Sequence, residues 1–407
     1  MLGGTIQQFG FNRDYPEVSL RNICLKETQG LSNQKKIFEE LLSAKFDWQK
    51  FVQESISERI GGLIYYNLNK SGLIDILPEF VKEAFLSRYC FVLNHNKMQT
   101  DFFKAIISDL ENISAPIALK GIVFSHTVYE DPALREHSDI DLLIEKKDFF
   151  EVDKMLTQKW KMKSFLDCPR SKTYELDNYA GGFSQKLDLI WDLAPIDRFS
   201  GALNFDTPLS RRNSQQVLIQ DKKVNVLSWE DAIIYSVYHL AFHHRFNGVI
   251  WHVDLLKIIN KFRDVVAWDK LGSSLKGYAL SGVACSIFKA LQEQLGCQID
   301  YSQLNNLKRG IRDDKINNIS KNYLEDKKIV LGGLRNEIKM AFLFDRLVPA
   351  YIVLFRLIFP SYEWLEFNFS RQKNYLNKEA FSHGSKILRA CFYWFCYLNW
   401  SIKTLLN

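Results

Sequence analysis

The sequence predicts an α+β fold, with a central mixed sheet and flanking helices between two helical regions. Residues 33–112 space their apolar side chains as helices do, and apolar runs of strand type follow from about 116 to 227. Helical spacing returns after that point. We therefore expect an N-terminal helical region over 1–115, a central core over 116–227 and a C-terminal helical domain over 228–407.

The N-terminal region should contain a buried apolar stripe and one long helix. Apolar residues from Phe51 to Ile64 recur at helical spacing, which predicts the stripe. Ser71-Gly72 interrupts the pattern. The stretch from about Pro78 to Ile113 has no internal glycine or proline, so we predict a single helix there.

The core alternates strand and helix patterns. Its strand candidates are 115–119, 142–144, 173–176, 186–191, 217–219 and 224–227. A helix predicted over Phe149–Trp160 gives a βαβ-like arrangement between the strands at 142–144 and 186–191. Gly181-Gly182 predicts a turn that joins two antiparallel strands. Ser228, with Asp231 three residues later, predicts a helix N-cap.

Three carboxylates lie at the starts of two of these strands. Asp139 and Asp141 are one residue apart, and strand side chains alternate faces, so both should point the same way. The βαβ-like arrangement can bring Asp188 beside them, with Asp192 and Asp197 as rivals. Like charges at the edge of a core repel, and Mg²⁺ resolves the conflict because it prefers hard oxygen ligands. The alternative for the first pair is a solvent-facing turn before a buried strand.

Four more residues are candidates for holding phosphates. Gly121 ends a strand, where a missing Cβ lets backbone N–H groups approach a phosphate, and Lys120 would add a point charge. The guanidinium of Arg135 suits phosphate, and the hydroxyl of Ser138 could bind phosphate or support a metal ligand. Each has an alternative. Lys120 could be solvated, Arg135 could only neutralise the acids, and the hydroxyl of Ser138 could form only a hydrogen bond within a turn.

A histidine-rich stretch follows in the C-terminal region. His239 and His243 share one helix face, and His244 is adjacent. This spacing can bind zinc, but no HExxH glutamate accompanies it, so we predict no metal there. We expect His243 and His244 to face the cleft as substrate-binding residues. The alternative is a partly buried helix whose histidines are satisfied internally.

Composition narrows the class of protein. The net charge of +6 is spread without a dense basic run, which disfavours an extended nucleic-acid track. Seven cysteines without a CxxC pair indicate reduced thiols in the cytoplasm. No apolar run reaches the ~20 residues of a transmembrane segment. The aromatic stretch from Phe392 to Trp400 suits burial against a helix, or a homodimer contact, better than membrane-surface binding.

The chain resembles a family of uncharacterised bacterial nucleotidyltransferases in the DNA polymerase beta superfamily. The matching features are a helical lead-in from Phe46, the strand end Leu119-Lys120-Gly121, Tyr129, Pro132 and Arg135, the string Ser138–Leu143, Leu187-Asp188-Leu189, and the segment His239–Asp254. They cover roughly residues 40 to 260. Two positions depart from the pattern. Ile122 stands where the superfamily has serine, a departure that the family shares, and Ser125 is the nearest hydroxyl. Ile190 stands where this family commonly has histidine.

The resemblance implies a polymerase-beta-like nucleotidyltransferase core. Such an enzyme moves a nucleoside monophosphate from an NTP, with ATP favoured, to a hydroxyl and releases pyrophosphate. Two Mg²⁺ ions would lie among Asp139, Asp141 and Asp188. The lack of a basic track favours a small molecule, peptide or protein as acceptor. The alternative is a catalytically degenerate protein of the same fold that binds a nucleotide or a partner, and a membrane-surface scaffold is a third hypothesis.

Overall fold

A computed structural model describes residues 16–25, 46–179, 183–199, 201–203, 205, 207–300, 302–303, 307, 334–369 and 393–398. Its strands are β1 Ile117–Leu119, β2 Ile140–Leu143, β3 Lys163–Cys168, β4 Ser171–Tyr179, β5 Phe183–Ile190, β6 Gln215–Ile219 and β7 Lys222–Val226. They form one mixed sheet in the order β3-β4-β5-β2-β1-β7-β6. The strands β2, β1 and β5 therefore lie at its centre.

Helices surround this sheet. Before it come α1 Pro16–Leu25, α2 Trp48–Ser57, α3 Gly61–Lys70 and α4 Glu79–Leu110. Between strands lie α5 Lys120–Thr127, α6 Phe149–Lys154 and α7 Thr207–Arg212. After it come α8 Trp229–Tyr238, α9 Val249–Phe262, α10 Trp268–Gly277, α11 Ser281–Leu295, α12 Leu334–Ala341, α13 Leu347–Ile358 and α14 Tyr362–Phe369. Among the described residues, no helix combines the length and apolar character needed to cross a membrane.

The architecture confirms the predicted α+β fold. The long helix α4 and the antiparallel pairing of β4 with β5 follow the sequence pattern. The Ser228 hydroxyl accepts a hydrogen bond from the Asp231 N–H at 3.2 Å, as an N-cap does. The turn expected at Gly181-Gly182 lies outside the described residues. Of the aromatic stretch from Phe392 to Trp400, the structure describes 393–398.

One strand has no counterpart among the predictions. The strand β3 lies at the edge of the sheet and pairs only with β4. Its large apolar side chains, Phe165 and Leu166, are both exposed although they are consecutive. A strand with neither face buried has no period-two pattern of apolar residues, so the sequence carries no signal for it.

Strand pairing at the centre of the sheet places the acids. The strands β1 and β2 run antiparallel with Leu119 opposite Asp141, and β2 and β5 run parallel with Asp141 opposite Asp188. Ile140 and Leu142 are fully buried, as expected of a central strand. The end of β1, the start of β2 and the middle of β5 therefore meet at one place.

Candidate active site

Three carboxylates converge where β1, β2 and β5 meet. Asp139 precedes β2, Asp141 lies within it, and Asp188 lies opposite Asp141 on β5. One carboxylate oxygen from each lies within 4.8 Å of the others. Residues directly opposite each other in a sheet point to the same face, which explains why Asp188 joins the pair.

Burial makes this cluster costly without a cation. Asp141 is buried, whereas Asp139 and Asp188 are half-buried. Burial, with a further contribution from Asp139 and Asp188, raises the pKa of Asp141 to about 7 although Lys120 opposes the shift. Burial also raises the pKa of Asp188, and this rise is limited by a 2.6 Å hydrogen bond from the Thr173 hydroxyl.

The donor set fits a divalent metal ion. Three carboxylates that repel one another are held together by the sheet, and hard oxygen ligands are those that Mg²⁺ prefers. An ion at this place would relieve the repulsion. The residues that would hold it are Asp139, Asp141 and Asp188.

Lys120 lies between the acids and the histidines. Its ammonium nitrogen is 2.9 Å from Oδ1 of Asp141 and 3.0 Å from Nε2 of His239, and its side chain is 13% exposed. Burial lowers the pKa of Lys120, but the carboxylate of Asp141 more than offsets this, so the pKa lies above its ordinary value. In this structure Lys120 neutralises Asp141.

Gly121, the second residue of α5, lies at a point of close contact. A Cβ there would lie 3.0 Å from the Cβ of His137, so the helix start packs directly against the loop before β2. The hydroxyl of Ser125 does not replace the serine absent at Ile122, because Ser125 is fully buried and bonds the carbonyl of Ile122.

Arg135 was predicted to bind phosphate, and its placement does not support that role. Its side chain is 1% exposed and forms an ion pair of 2.7 Å with Asp254. The guanidinium also lies 4.9 Å from the ring centroid of Trp251 and donates to the carbonyl of Glu136. Tyr129 donates to the same Asp254 at 2.8 Å. This buried network holds α9 against the loop before β2. The guanidinium of Arg135 is therefore not accessible to a substrate.

Ser138 stands at the mouth of the site and has an unexpected partner. Its hydroxyl oxygen accepts from Nη1 of Arg59 at 3.2 Å and lies 3.4 Å from Oδ1 of Asp139. Arg59 comes from the turn between α2 and α3 and was absent from the sequence-based candidates. The one sequence signal for it is a charged residue where a helix-ending glycine is usual.

The histidines share one face because α8 continues as a π-helical turn over His239–His243. The N–H of His244 bonds the carbonyl of His239 at 2.9 Å, the five-residue step of a π-helix. This geometry places His244 beside His239, with ring centroids 4.3 Å apart. His239 is buried, His244 is half-buried and His243 is exposed.

The surroundings of these histidines favour an anion. Their ring nitrogens lie within 4.8 Å of one another, a spacing that could also hold a metal ion. Loss of solvent around the ring, followed by the charge of Lys120, lowers the pKa of His243, although part of that side chain stays exposed. Burial, followed by His243 and Lys120, lowers the pKa of His244 to about 2. Uncharged imidazoles among cations are suited to donate hydrogen bonds to phosphate.

The two rival acids are engaged elsewhere. Asp192 forms a 3.2 Å ion pair with Arg170 and accepts from the N–H of Ala194. Asp197 is buried and bonds the N–H and hydroxyl of Ser361. Neither side chain is directed to the cluster of three carboxylates.

Comparison with known proteins agrees with this geometry. A comparison with curated proteins found no match. A family model described as an uncharacterised nucleotidyltransferase matches residues 44–296. The matched range contains the three carboxylates, Lys120, the loop before β2 and the histidine turn. The chain therefore belongs to this uncharacterised nucleotidyltransferase family.

Proposed function

We propose that the protein is an Mg²⁺-dependent nucleotidyltransferase that moves a nucleoside monophosphate from an NTP to a hydroxyl. The observation that carries the proposal is the meeting of three carboxylate oxygens within 4.8 Å at adjoining strands. In the reaction the acceptor oxygen bonds the α-phosphorus, the bond from that phosphorus to the bridging oxygen breaks, and pyrophosphate leaves. The hydroxyl proton passes to Asp188 or to solvent.

Each residue has a separate task in this proposal. Asp139, Asp141 and Asp188 would hold up to two Mg²⁺ ions, which when bound supply charge neutralisation and a lowered pKa of the acceptor hydroxyl. The backbone N–H groups at the start of α5 would bind the triphosphate. His243 and His244 line the side from which the acceptor enters.

We infer the class of acceptor from the distribution of basic residues in the sequence. ATP is the favoured donor, and the acceptor is a small molecule, peptide or protein, because basic residues form no dense run along the sequence. We also propose a cytoplasmic location, from the scattered cysteines.

Calorimetry with the four NTPs tests the proposal. We expect wild type to bind at least one NTP in an Mg²⁺-dependent manner, and Asp139→Ala and Asp141→Ala to lose that binding. Asp264→Ala is the matched control, since the side chain of Asp264 is 87% exposed and belongs to no cluster with these acids. Folded wild type that binds no NTP would refute the proposal.

A second candidate is a degenerate protein that binds nucleotide without turnover. The contact between Lys120 and Asp141 favours it, because a permanent internal cation can replace the metal ion. The two candidates differ in pyrophosphate release. We expect the enzyme to release pyrophosphate when ATP and an acceptor pool are supplied, whereas the binding protein releases none.

A further inference from the structure

Arg59 occupies a backbone position that usually belongs to glycine. It follows α2, where the N–H of Ile60 bonds the carbonyl of Ser55 and the N–H of Arg59 bonds that of Ile56, both at 3.0 Å. This is the Schellman pattern of a helix end, and the residue at its centre is left-handed. Arg59 has φ +60°, a conformation that side chains other than glycine adopt at a cost. Glycine would therefore be the less strained residue at this position.

The turn at Arg59 places its guanidinium at the edge of the site. Nη1 of Arg59 donates to Ser138, whose hydroxyl lies 3.4 Å from Oδ1 of Asp139. The preceding residue, Glu58, accepts from the N–H of Val249 at 2.7 Å and so fixes this turn against the start of α9. The guanidinium therefore has a defined position beside the acids.

Arg59 forms no ion pair with a carboxylate of the described residues. Within the described ranges, Lys120 pairs with Asp141 and Arg135 pairs with Asp254, but no acid forms an ion pair with Arg59. A guanidinium has five N–H donors, and the contact with Ser138 takes only one. The others remain for a ligand.

The charge of Arg59 also acts on the histidine turn. Burial, followed by His243, Lys120 and Arg59, lowers the pKa of His244. Ile122 provides no hydroxyl near the start of α5, and the hydroxyl of Ser125 is buried and bonds the carbonyl of Ile122. A phosphate at the start of α5 therefore receives no hydroxyl donor from these two residues.

We propose that Arg59 binds the triphosphate of the donor nucleotide. The inference rests on the proposed function and names one of its phosphate ligands. A forked guanidinium binds two phosphate oxygens at once, which a point charge cannot do. The competing explanation is that Arg59 only neutralises Asp139.

The substitution Arg59→Gly separates these explanations. Glycine suits the left-handed turn, so we expect the melting temperature to stay the same or rise. We expect the affinity for Mg²⁺-NTP and for inorganic tripolyphosphate to fall about 10- to 100-fold, as loss of a charge-assisted hydrogen bond implies. Arg59→Lys should restore part of the affinity, because it keeps the charge but not the fork.

Lys161→Gly is the matched control. Lys161 is an exposed cation with φ +55°, so the same substitution relieves the same backbone strain, and it lies before the edge strand β3. We expect it to leave the affinity for both ligands unchanged. Calorimetry gives the affinities, and thermal unfolding gives the stability of each variant.

Each outcome separates the inference from the function on which it rests. Wild-type binding that Arg59→Gly weakens and Lys161→Gly does not would support both. Equal binding by wild type and Arg59→Gly would overturn the inference and leave the nucleotidyltransferase proposal standing. A fall in stability of Arg59→Gly with unchanged affinity would assign Arg59 the neutralising role. Wild type that binds neither ligand would overturn the proposed function and the inference with it.

Discussion

The ammonium nitrogen of Lys120 lies 2.9 Å from Oδ1 of Asp141, so the most buried acid of the site has a cation of the protein's own beside it. The pairing of β1 with β2 creates this contact, because Leu119 lies opposite Asp141 and Lys120 follows it. The ammonium stands near the position that a divalent ion bound by the three carboxylates would neutralise. Lys120 and the metal ion therefore stabilise the same charge.

Replacing this lysine should make the fold depend on metal. In Lys120→Met, Asp141 stays buried beside two other acids without a neutralising partner. Breaking a buried ion pair typically costs about 3–5 kcal/mol, and we expect about 3 kcal/mol at pH 8 because Asp141 can take up a proton. Urea unfolding in EDTA measures the loss, and millimolar Mg²⁺ should restore more stability to the variant than to wild type. Equal stability of the two proteins in EDTA would contradict the neutralising role of Lys120.

Asp188→Asn should stabilise the metal-free fold and slow transfer. The side chain keeps an acceptor for the Thr173 hydroxyl but loses the charge that opposes Asp141 on the neighbouring strand. Like charges opposite each other cost up to about 1 kcal/mol, so we expect a gain of that size without metal. We expect the rate of pyrophosphate release to fall about 10²–10³-fold, as loss of a charge-stabilising group does. Thermal unfolding in EDTA and a pyrophosphate assay measure the two effects, and a fall in melting temperature would contradict the repulsion.

The acids could be predicted from the sequence because their placement follows from local rules. Strand periodicity puts Asp139 and Asp141 on one face. The chain returns to β2 through α6, β3 and β4, and β5 pairs with β2 in parallel, as the βαβ-like arrangement led us to expect for Asp188. The strands β6 and β7 and the long helix α4 followed in the same way from apolar runs and helical spacing.

The partners of the basic residues could not be predicted, because each contact joins distant parts of the chain. Arg59 meets Ser138 across 79 residues, and Arg135 meets Asp254 across 119. A side-chain ion pair leaves no periodic signal in either segment. The π-helical turn also has no recognisable sequence pattern, although it places His244 beside His239.

A double-mutant cycle should show that Arg135 and Asp254 act as one unit. Both side chains are buried, with 1% and 3% exposed, and Tyr129 shares the same carboxylate. Arg135→Met leaves the charge of Asp254 without a partner, and we expect a loss of about 3–5 kcal/mol in the free energy of unfolding. Asp254→Asn added to Arg135→Met should recover part of that loss, because it removes the unpaired charge and keeps an acceptor for Tyr129. Urea unfolding of the four proteins measures the coupling, and additive effects would contradict it.

Acid should destabilise the protein through histidines that lose solvent on folding. This desolvation lowers the pKa of His95, His126, His137, His239, His243, His244 and His252. The folded protein therefore favours the uncharged form of each imidazole. The stability they contribute is therefore complete above the unfolded pKa near 6.5, and it is lost as pH falls toward the folded values.

His252 isolates one such contribution away from the acids. Its side chain is 2% exposed, burial lowers its pKa to about 4, and its Nδ1 lies 2.9 Å from the carbonyl of Gly248. In wild type this one residue should remove about 1.4 kcal/mol between pH 7.5 and 5.5. His252→Asn can keep a donor for Gly248 but does not titrate, so its stability should fall by that much less over the same range. Urea unfolding at both pH values gives the change in stability of each protein. Asp141 has the opposite pH dependence, but both proteins contain it, so its contribution cancels when the two changes are subtracted. Parallel stability curves for the two proteins from pH 7.5 to 5.5 would mean that His252 is charged in the folded protein or titrates normally.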